Sequence, residues 1–415
     1  MYRKTQRFSE AEAAYQEALT IRRKLADGNP GAYKPLVAET LISLGNLFFE
    51  THRLPEVEVE DLEALQIQRQ MRDLNPILFD ADLAQTLNNL GNLYRDSNRM
   101  SDAEAAYQDS LSIGRNLAQI NRFSYLPPLA QHLLNFGTFY IKSRKWSEAE
   151  SLLQESLKIR RELVKVNPDA HQWELADTLN NLAILYSATK RLNEAEAAYE
   201  ESLAIFRRLG RVNPVAYKPS IAHTLNNLGN LYGETGRLKE AEVAYREATA
   251  AYRELAKENP AAFQVDLAET LYNQGNLYHQ TQHLNEAQNA YDEALSLYRE
   301  LEKINPSVYQ SFVAAVLASK ARTSMDLGEV QKAQEEVGEA VTIFSELWKT
   351  NPAAYDDEFA RSQLLAGDMF RVTEGDSPRV CSLFQNAAQV ASELKWKQLA
   401  ATKSAGCEAQ VQSLH

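Results

Sequence analysis

The sequence predicts an all-α fold, an α-solenoid built as a superhelical array of about eight antiparallel helix pairs. Three observations predict it. A small residue returns every 46 positions, at Gly45, Gly91, Gly137, Ala183, Gly229, Gly275, Ala321 and Gly367. The same phrase surrounds it, Leu-Gly-Asn-Leu, beginning at Leu44, Leu90 and Leu228. Asn-Pro keeps the same phase, at Asn29, Asn75, Asn167, Asn213, Asn259, Asn305 and Asn351, and fails only where Arg122 follows Asn121. A constant period of this length marks stacked units that bury their apolar faces only against neighbours. It favours one elongated array over the two or three domains that 415 residues would otherwise suggest.

The elements follow in order. Residues 1–29 read as a partial repeat with its second helix only, because Tyr2 stands in the column of Phe48 and Tyr94. The segment from Phe8 to Ala26 is then a helix whose natural neighbour is missing, and it is expected to fray or to find a partner, including another copy of the chain. Residues 30–351 read as seven full repeats. In the repeat from Asn213 to Pro260, Pro214 suits a first helical turn. Ile221, Ala222, Leu225, Leu228, Gly229, Leu231 and Tyr232 have helical spacing, and Gly236 signals a helix end. A second helix carries Leu238, Ala241, Ala244, Tyr245, Ala248, Ala251, Tyr252 and Leu255 on one side. Asn259 ends it, because a residue before proline is pushed out of the α region. Residues 352–396 read as a degenerate capping repeat, in which Leu383 takes the second aromatic slot and Asp376-Ser377-Pro378 slips the register. Residues 397–415 match no repeat.

One helix breaks the pattern early. Asp61 stands where Tyr107 and Tyr245 stand, with Glu60 beside it, which predicts a locally repacked and more exposed helix.

Leu-Gly-x-Leu-Tyr is followed by a small residue twelve positions after the glycine, then an aromatic and another small residue. This pattern, at Gly91, Ala103, Tyr107 and Ser110 and at Gly229, Ala241, Tyr245 and Ala248, resembles the tetratricopeptide repeat. The unit is longer than the usual form, similar to the long-helix subgroup of kinesin light chains and bacterial arrays. The resemblance covers about residues 1 to 395. It implies a protein-binding scaffold whose first helices line a concave groove. It also implies two alternatives: a sensor or regulatory array of a larger effector (a signalling ATPase or caspase-like protease), or a self-assembling array.

Composition narrows the partners. The 44 basic and 56 acidic residues give a net charge of −12, which disfavours nucleic acid. No apolar run approaches the ~20 residues of a membrane span, and the first residues do not read as a signal peptide, so no membrane partner is expected. Cys381 and Cys407 are too few for a disulfide framework; free thiols in a reducing cytoplasm are the simplest expectation. No phosphate loop or nucleophile elbow occurs, so neither catalysis nor a cofactor is expected. His279 and His283 are spaced as metal ligands can be, but no third ligand is near and no metal is expected.

Asparagine is the feature that packing leaves unexplained. Asn46, Asn88, Asn89, Asn92, Asn135, Asn181, Asn227, Asn230, Asn273 and Asn276 recur in mid-first-helix, where asparagine is a poor choice. On the groove side, their amides could hold the backbone of an extended peptide; the alternative is bonding between adjacent first helices. Glu39, Gln85, Gln131, Asp177, His223 and Glu269 make the same face neutral to acidic, which favours a polar or basic peptide. A basic ridge at Arg7, Arg53, Arg99, Lys145, Arg191 and Arg237 marks the turns, and aromatics at Tyr33, Phe79, Tyr125, Tyr217, Phe263, Tyr309 and Tyr355 are expected to staple the inter-repeat loops.

Overall fold

The computed structural model describes residues 8–51 and 53–413; Tyr2 and Arg7, at the start of two of the columns, lie outside the described residues. Those residues form α-helices throughout, with no strand among them. After α1 (Phe8–Gly28) come the pairs α2 (Pro30–Glu50) and α3 (Leu54–Arg72), α4 (Pro76–Asp96) and α5 (Met100–Ile120), α6 (Arg122–Lys142) and α7 (Trp146–Val166), and α8 (Pro168–Ala188) and α9 (Leu192–Val212). The second half continues with α10 (Pro214–Glu234) and α11 (Leu238–Glu258), α12 (Pro260–Gln280) and α13 (Leu284–Ile304), α14 (Pro306–Asp326) and α15 (Val330–Thr350), α16 (Pro352–Glu374) and α17 (Pro378–Val390), and α18 (Leu394–Ser413). Most helices are 21 residues long, about 31 Å at 1.5 Å per residue. The chain divides into two compact units, Met1–Arg208 and Leu209–His415, with the boundary inside α9.

The one-residue linker between repeats works through asparagine. Asn167, Asn213 and Asn259 take φ near −140°, end one helix, and accept a hydrogen bond from the backbone N–H of Ala170, Ala216 and Ala262 at the start of the next. Asn121 does the same for Ser124 without a following proline, whereas Asn305 and Asn351 keep the proline and make no side-chain cap, so neither device is needed at every joint. In six of the pairs, the turn places one residue in the left-handed region: Asn98, Arg144, Lys190, Gly236, Gln282 and Gly328, again 46 apart. Only two of the six are glycine, so the sequence shows this conformation plainly at Gly236 and Gly328 and hides it at Arg144, Lys190 and Gln282.

The small column packs as expected. A Cβ on Gly91 or Gly229 would stand 2.6 Å from the ring of Tyr107 or Tyr245, so the tyrosine of the second helix lies flat on bare backbone of the first. Ser110, Ser156 and Ser202 tie the same helices by donating to the carbonyls of Ala84, Ala130 and Ala176 at 2.7–2.8 Å. In the cap the slipped register puts Phe384, not Leu383, against Gly367, because α16 runs two residues longer than its counterparts before Gly375 turns the chain.

Three further expectations need correction. The first is exposure of α3: Asp61 is only 2% exposed, because the constant frame buries that column whatever residue fills it. The second is free thiols: Cys381 of α17 and Cys407 of α18 form a disulfide, with Cα atoms 5.5 Å apart where the two final helices pack together. That pairing removes the argument for a reducing compartment. The third is the staple. The aromatic column sits on the fourth residue of each first helix and packs inward. The aliphatic residues that would complete a staple (Leu74, Ile120, Val166 and Ile304) are 61–82% exposed. On α1, Ile21 and Leu25 also remain exposed.

Candidate functional site

Polar bonds between repeats differ on the two helix layers, and the difference locates the inner face. Consecutive first helices touch within each unit: α4 meets α6 and α6 meets α8, as do α10, α12, α14 and α16 in turn. Short side chains bridge them. Asn135 Nδ2 donates to Asn88 Oδ1 at 3.2 Å, Asn273 Nδ2 to Asn226 Oδ1 at 3.3 Å, and the Tyr272 hydroxyl lies 3.2 Å from Ser319 Oγ. Second helices are joined instead by long arginine–glutamate reaches: Arg23–Glu63, Arg115–Glu155, Arg161–Glu201, Arg253–Glu293 and Arg299–Glu339. Layers held by short amides are closer than layers held by extended ion pairs. Within each unit the first helices are therefore the inner side.

The asparagines separate into three groups on that side. Asn88 is 1% exposed and spends its carbonyl on Asn135, so it spaces the helices and is not a surface residue. Asn92, Asn230 and Asn276 accept from the hydroxyls of Tyr107, Tyr245 and Tyr291 at 2.6–2.7 Å, linking first helix to second. Each keeps its amide N–H groups for other use. Asn89, Asn135, Asn181 and Asn227 are partly exposed and bond a residue one turn earlier: Gln85, Gln131, Asp177 and His223. Asn46 is exposed and Asn273 partly so. Spacing and surface roles thus share one column.

The same face concentrates carboxylates that burial pushes up. Asp177 rises to about 6, with Arg160 pulling against the shift, and Asp266 rises to about 6 through burial and then the neighbouring Glu269. Asp82 is raised by burial and by Glu39, and Glu269 by burial. His223 is lowered by burial, although solvent still reaches it. Arg160 is a buried cation in this region, 1% exposed and 3.1 Å from Glu174, and Arg322 and Arg361 lie beside Tyr272 and Ser319 on the first helices of the second unit. Arg95 is taken by Asp96 at 2.8 Å. A recess of ≈220 Å³ lies between α2, α3 and α4, with Glu39, Asp82, Ile67, Met71 and Phe79 among its walls.

The basic ridge serves packing. Arg53, Arg99, Arg191 and Arg237 lie 4.2–4.3 Å above the rings of Phe48, Tyr94, Tyr186 and Tyr232, and Lys145 covers Tyr140. Arg53, Arg99, Lys145 and Arg191 also reach back one repeat to Glu12, Glu58, Glu104 and Glu150. His279 pairs with Asp326 and His283 with Thr281; no cluster of three metal-ligating side chains occurs among the described residues.

Family models described as tetratricopeptide repeat match residues 1–29, 83–120, 128–208, 174–254 and 268–301. The chain belongs to the tetratricopeptide repeat family. Among solved structures it is similar to a Signal Transduction ATPase with Numerous Domains protein with a tetratricopeptide repeat sensor from Pyrococcus horikoshii. The TM-score is 0.52 at 14% identity, covering 91% of this chain and 54% of that one. It is also similar to the apo form of RapI, with TM-score 0.51 at 15% identity over 75% of this chain and 99% of that chain. A third similar structure is BtubC from P. vanneervenii, with TM-score 0.48 at 22% identity over 60% of this chain and 92% of that one. No curated protein sequence matches. The first two likenesses establish the helical-repeat fold, and the tetratricopeptide repeat is a scaffold suited to protein interaction. No helix among the described residues is long and apolar enough to cross a membrane.

Proposed function

We propose that this tetratricopeptide repeat array is a protein-binding scaffold that holds an extended, polar to basic peptide along its first helices. The observation that carries the reading is that in each unit partly exposed amides alternate with carboxylates raised by burial: Asn89 near Asp82 and Asn181 near Asp177 in the first, and Asn273 near Asp266 and Glu269 in the second. Amides satisfy the donors and acceptors of a peptide backbone, and each neutral hydrogen bond contributes roughly 0.5–1.5 kcal/mol. Crowded carboxylates gain from a cation that replaces lost water. A preformed wall of packed helices limits the ordering cost of association.

The test is a peptide array of decamers that vary in charge. Retention should rise with lysine and arginine and vanish with aspartate and glutamate. Retention that ignores charge overturns the basic-peptide reading, and normal binding by both an Asn89→Ala, Asn181→Ala variant of the first unit and an Asn227→Ala, Asn273→Ala variant of the second overturns the amide role.

A second reading is a sensor array within a larger effector, supported by the likeness to the STAND protein's repeat sensor. The two readings differ in what binding changes. In a scaffold, hydrogen-exchange protection on peptide addition stays on the first helices. In a sensor it spreads to helices that do not touch the peptide.

A further inference from the structure

The tyrosine that covers Gly91, Gly229 and Gly275 is replaced by Leu153 over Gly137, by Phe384 over Gly367 and by Asp61 over Gly45, and only the last replacement puts a carboxylate beside a cavity. In the α4–α5, α10–α11 and α12–α13 pairs, the ring covers the glycine and its hydroxyl donates to an asparagine of the first helix. In α2–α3 the tyrosine is replaced by Asp61, whose Oδ1 stands 2.6 Å from where a Cβ on Gly45 would be. The asparagine that would receive the hydroxyl is Asn46. The shorter side chain leaves a recess of ≈130 Å³ lined by Gly45, Asn46, Phe49, Asp61, Asn89 and Asn92, among others. Asp61 is 2% exposed, and its Oδ1 has no hydrogen-bond partner among the described residues. A buried carboxylate oxygen without a donor is costly and asks for a partner.

Nothing nearby among the described residues supplies one. Their lining of the recess contains no lysine or arginine. Arg53 is held by Glu12 and Glu56, Arg95 by Asp96, and Arg99 by Glu58 and Asp102. The other polar lining groups are amides: Asn89 and Asn92 already accept from Gln85 and Tyr107 and each keeps a second lone pair, and with Asn46 they can accept from a cation that the carboxylate neutralises.

We propose that this recess is an anchor pocket for a lysine or arginine side chain of an extended peptide lying along α2 and α4. The pocket rests on the groove reading above and deepens it, because Asn46, Asn89 and Asn92 line both. The ammonium or guanidinium donates to Asp61 and to the asparagine carbonyls, and the aliphatic stem lies against Phe49 and Val57, both in the lining. The position specifies register: one basic residue of the partner is fixed here, and the amides hold the backbone on either side.

The test uses the full chain and two probes. N-acetyl-arginine amide is titrated while the side-chain amide resonances of Asn46, Asn89 and Asn92 are followed, with N-acetyl-serine amide as control. A decapeptide with a single central arginine among serine, glycine and threonine is titrated by fluorescence anisotropy. Asp61→Asn keeps the shape and removes a buried charge, so it folds at least as well; Asp61→Tyr refills the recess with the residue its sister repeats use. The arginine probe should shift all three amides in the native protein and none in either variant. The decapeptide should lose at least about tenfold in affinity in both variants, since a hydrogen bond to a charged group is worth that much. If the arginine probe moves no amide, or moves them equally in Asp61→Asn, the pocket is refuted. If the decapeptide binds the native protein and both variants alike, the pocket is refuted while the groove reading stands. If the small probe binds in an Asp61-dependent way and no decapeptide binds, the pocket stands and the groove reading falls.

Discussion

The helix pairs α2–α3 and α4–α5 share one backbone frame and differ at its central contact. Gly91 is covered by the ring of Tyr107, which is 1% exposed; Gly45 is covered by the carboxyl of Asp61, which is 2% exposed. The frame is the same because the helix lengths, the 46-residue offset and the small columns are nearly repeated at both places. The contents differ because each repeat is buried by its neighbours, so a solenoid tolerates a poor core residue in one unit without losing the stack. What one pair uses for packing, the other has available for binding.

The largest effect separates these pairs directly. Tyr107→Ala should lower stability by roughly 3–5 kcal/mol, since it empties a filled site. Asp61→Ala should be neutral or stabilising, since it removes a buried carboxylate that has no donor on Oδ1 among the described residues. Thermal unfolding followed by circular dichroism reads both. Equal losses would mean that Asp61 is as well satisfied as the tyrosine.

The next effect depends on pH. Burial, and secondarily Glu60, pushes the Asp61 carboxyl up to about 7. The folded state therefore holds this proton more tightly than the unfolded state, whose value is near 3.9. Below about pH 4 both states are protonated and the group makes no difference. As pH rises from about 4 to 7 the unfolded chain ionises first, and this group's share of stability falls by up to a few kcal/mol. Asp61→Asn should remove that slope, and urea unfolding of the two proteins between pH 4 and 8 checks it. Parallel curves would place Asp61 in a solvated setting.

Glycine replacement sharpens the same contrast at smaller scale. Gly91→Ala forces a methyl into the Tyr107 ring and should cost about 1–3 kcal/mol. Gly45→Ala meets only a carboxylate beside an open recess and should cost less. A Cβ on Gly233 would meet nothing within 4 Å, and Gly233→Ala should stabilise by about 0.5–1 kcal/mol. Smaller again, Asn121→Ala and Asn167→Ala should each cost about 1 kcal/mol, and by similar amounts despite the missing proline at the first. A much smaller loss at Asn167, where Pro168 remains, would return the credit for the joint to the proline.

The helix-pair architecture was legible because its signals are periodic: the glycine and alanine columns, the Asn joint and the tyrosines each recur at one spacing. The exceptions were less legible, since a single residue has no column to speak for it. Asp61 read as a sign of exposure, because an acidic residue in an apolar slot usually reports a solvated face; the neighbouring repeats buried it instead. The left-handed turn was visible at Gly236 and Gly328 but not at Arg144 or Lys190, which have no sequence signature for that conformation. The Cys381–Cys407 pairing depends on how α17 meets α18, beyond the reach of the repeat. One signal was present and overlooked: arginine and glutamate forty positions apart, as at Arg115 and Glu155, mark the outer layer and so identify the inner one. The asparagine column was visible as a column, but only coordinates separate the buried spacer Asn88 from the exposed Asn46.

The central claim, that the first helices are the binding face, is tested most directly by the hydrogen-exchange footprint of the arginine decapeptide on the intact protein. Protection is expected along the inner residues of α2, α4 and α6, strongest around Asn46, Asn89 and Asn92, with α3, α5 and α7 unchanged on their outer faces. Protection confined to the outer ion-paired layer, or no protection at saturating peptide, would contradict it.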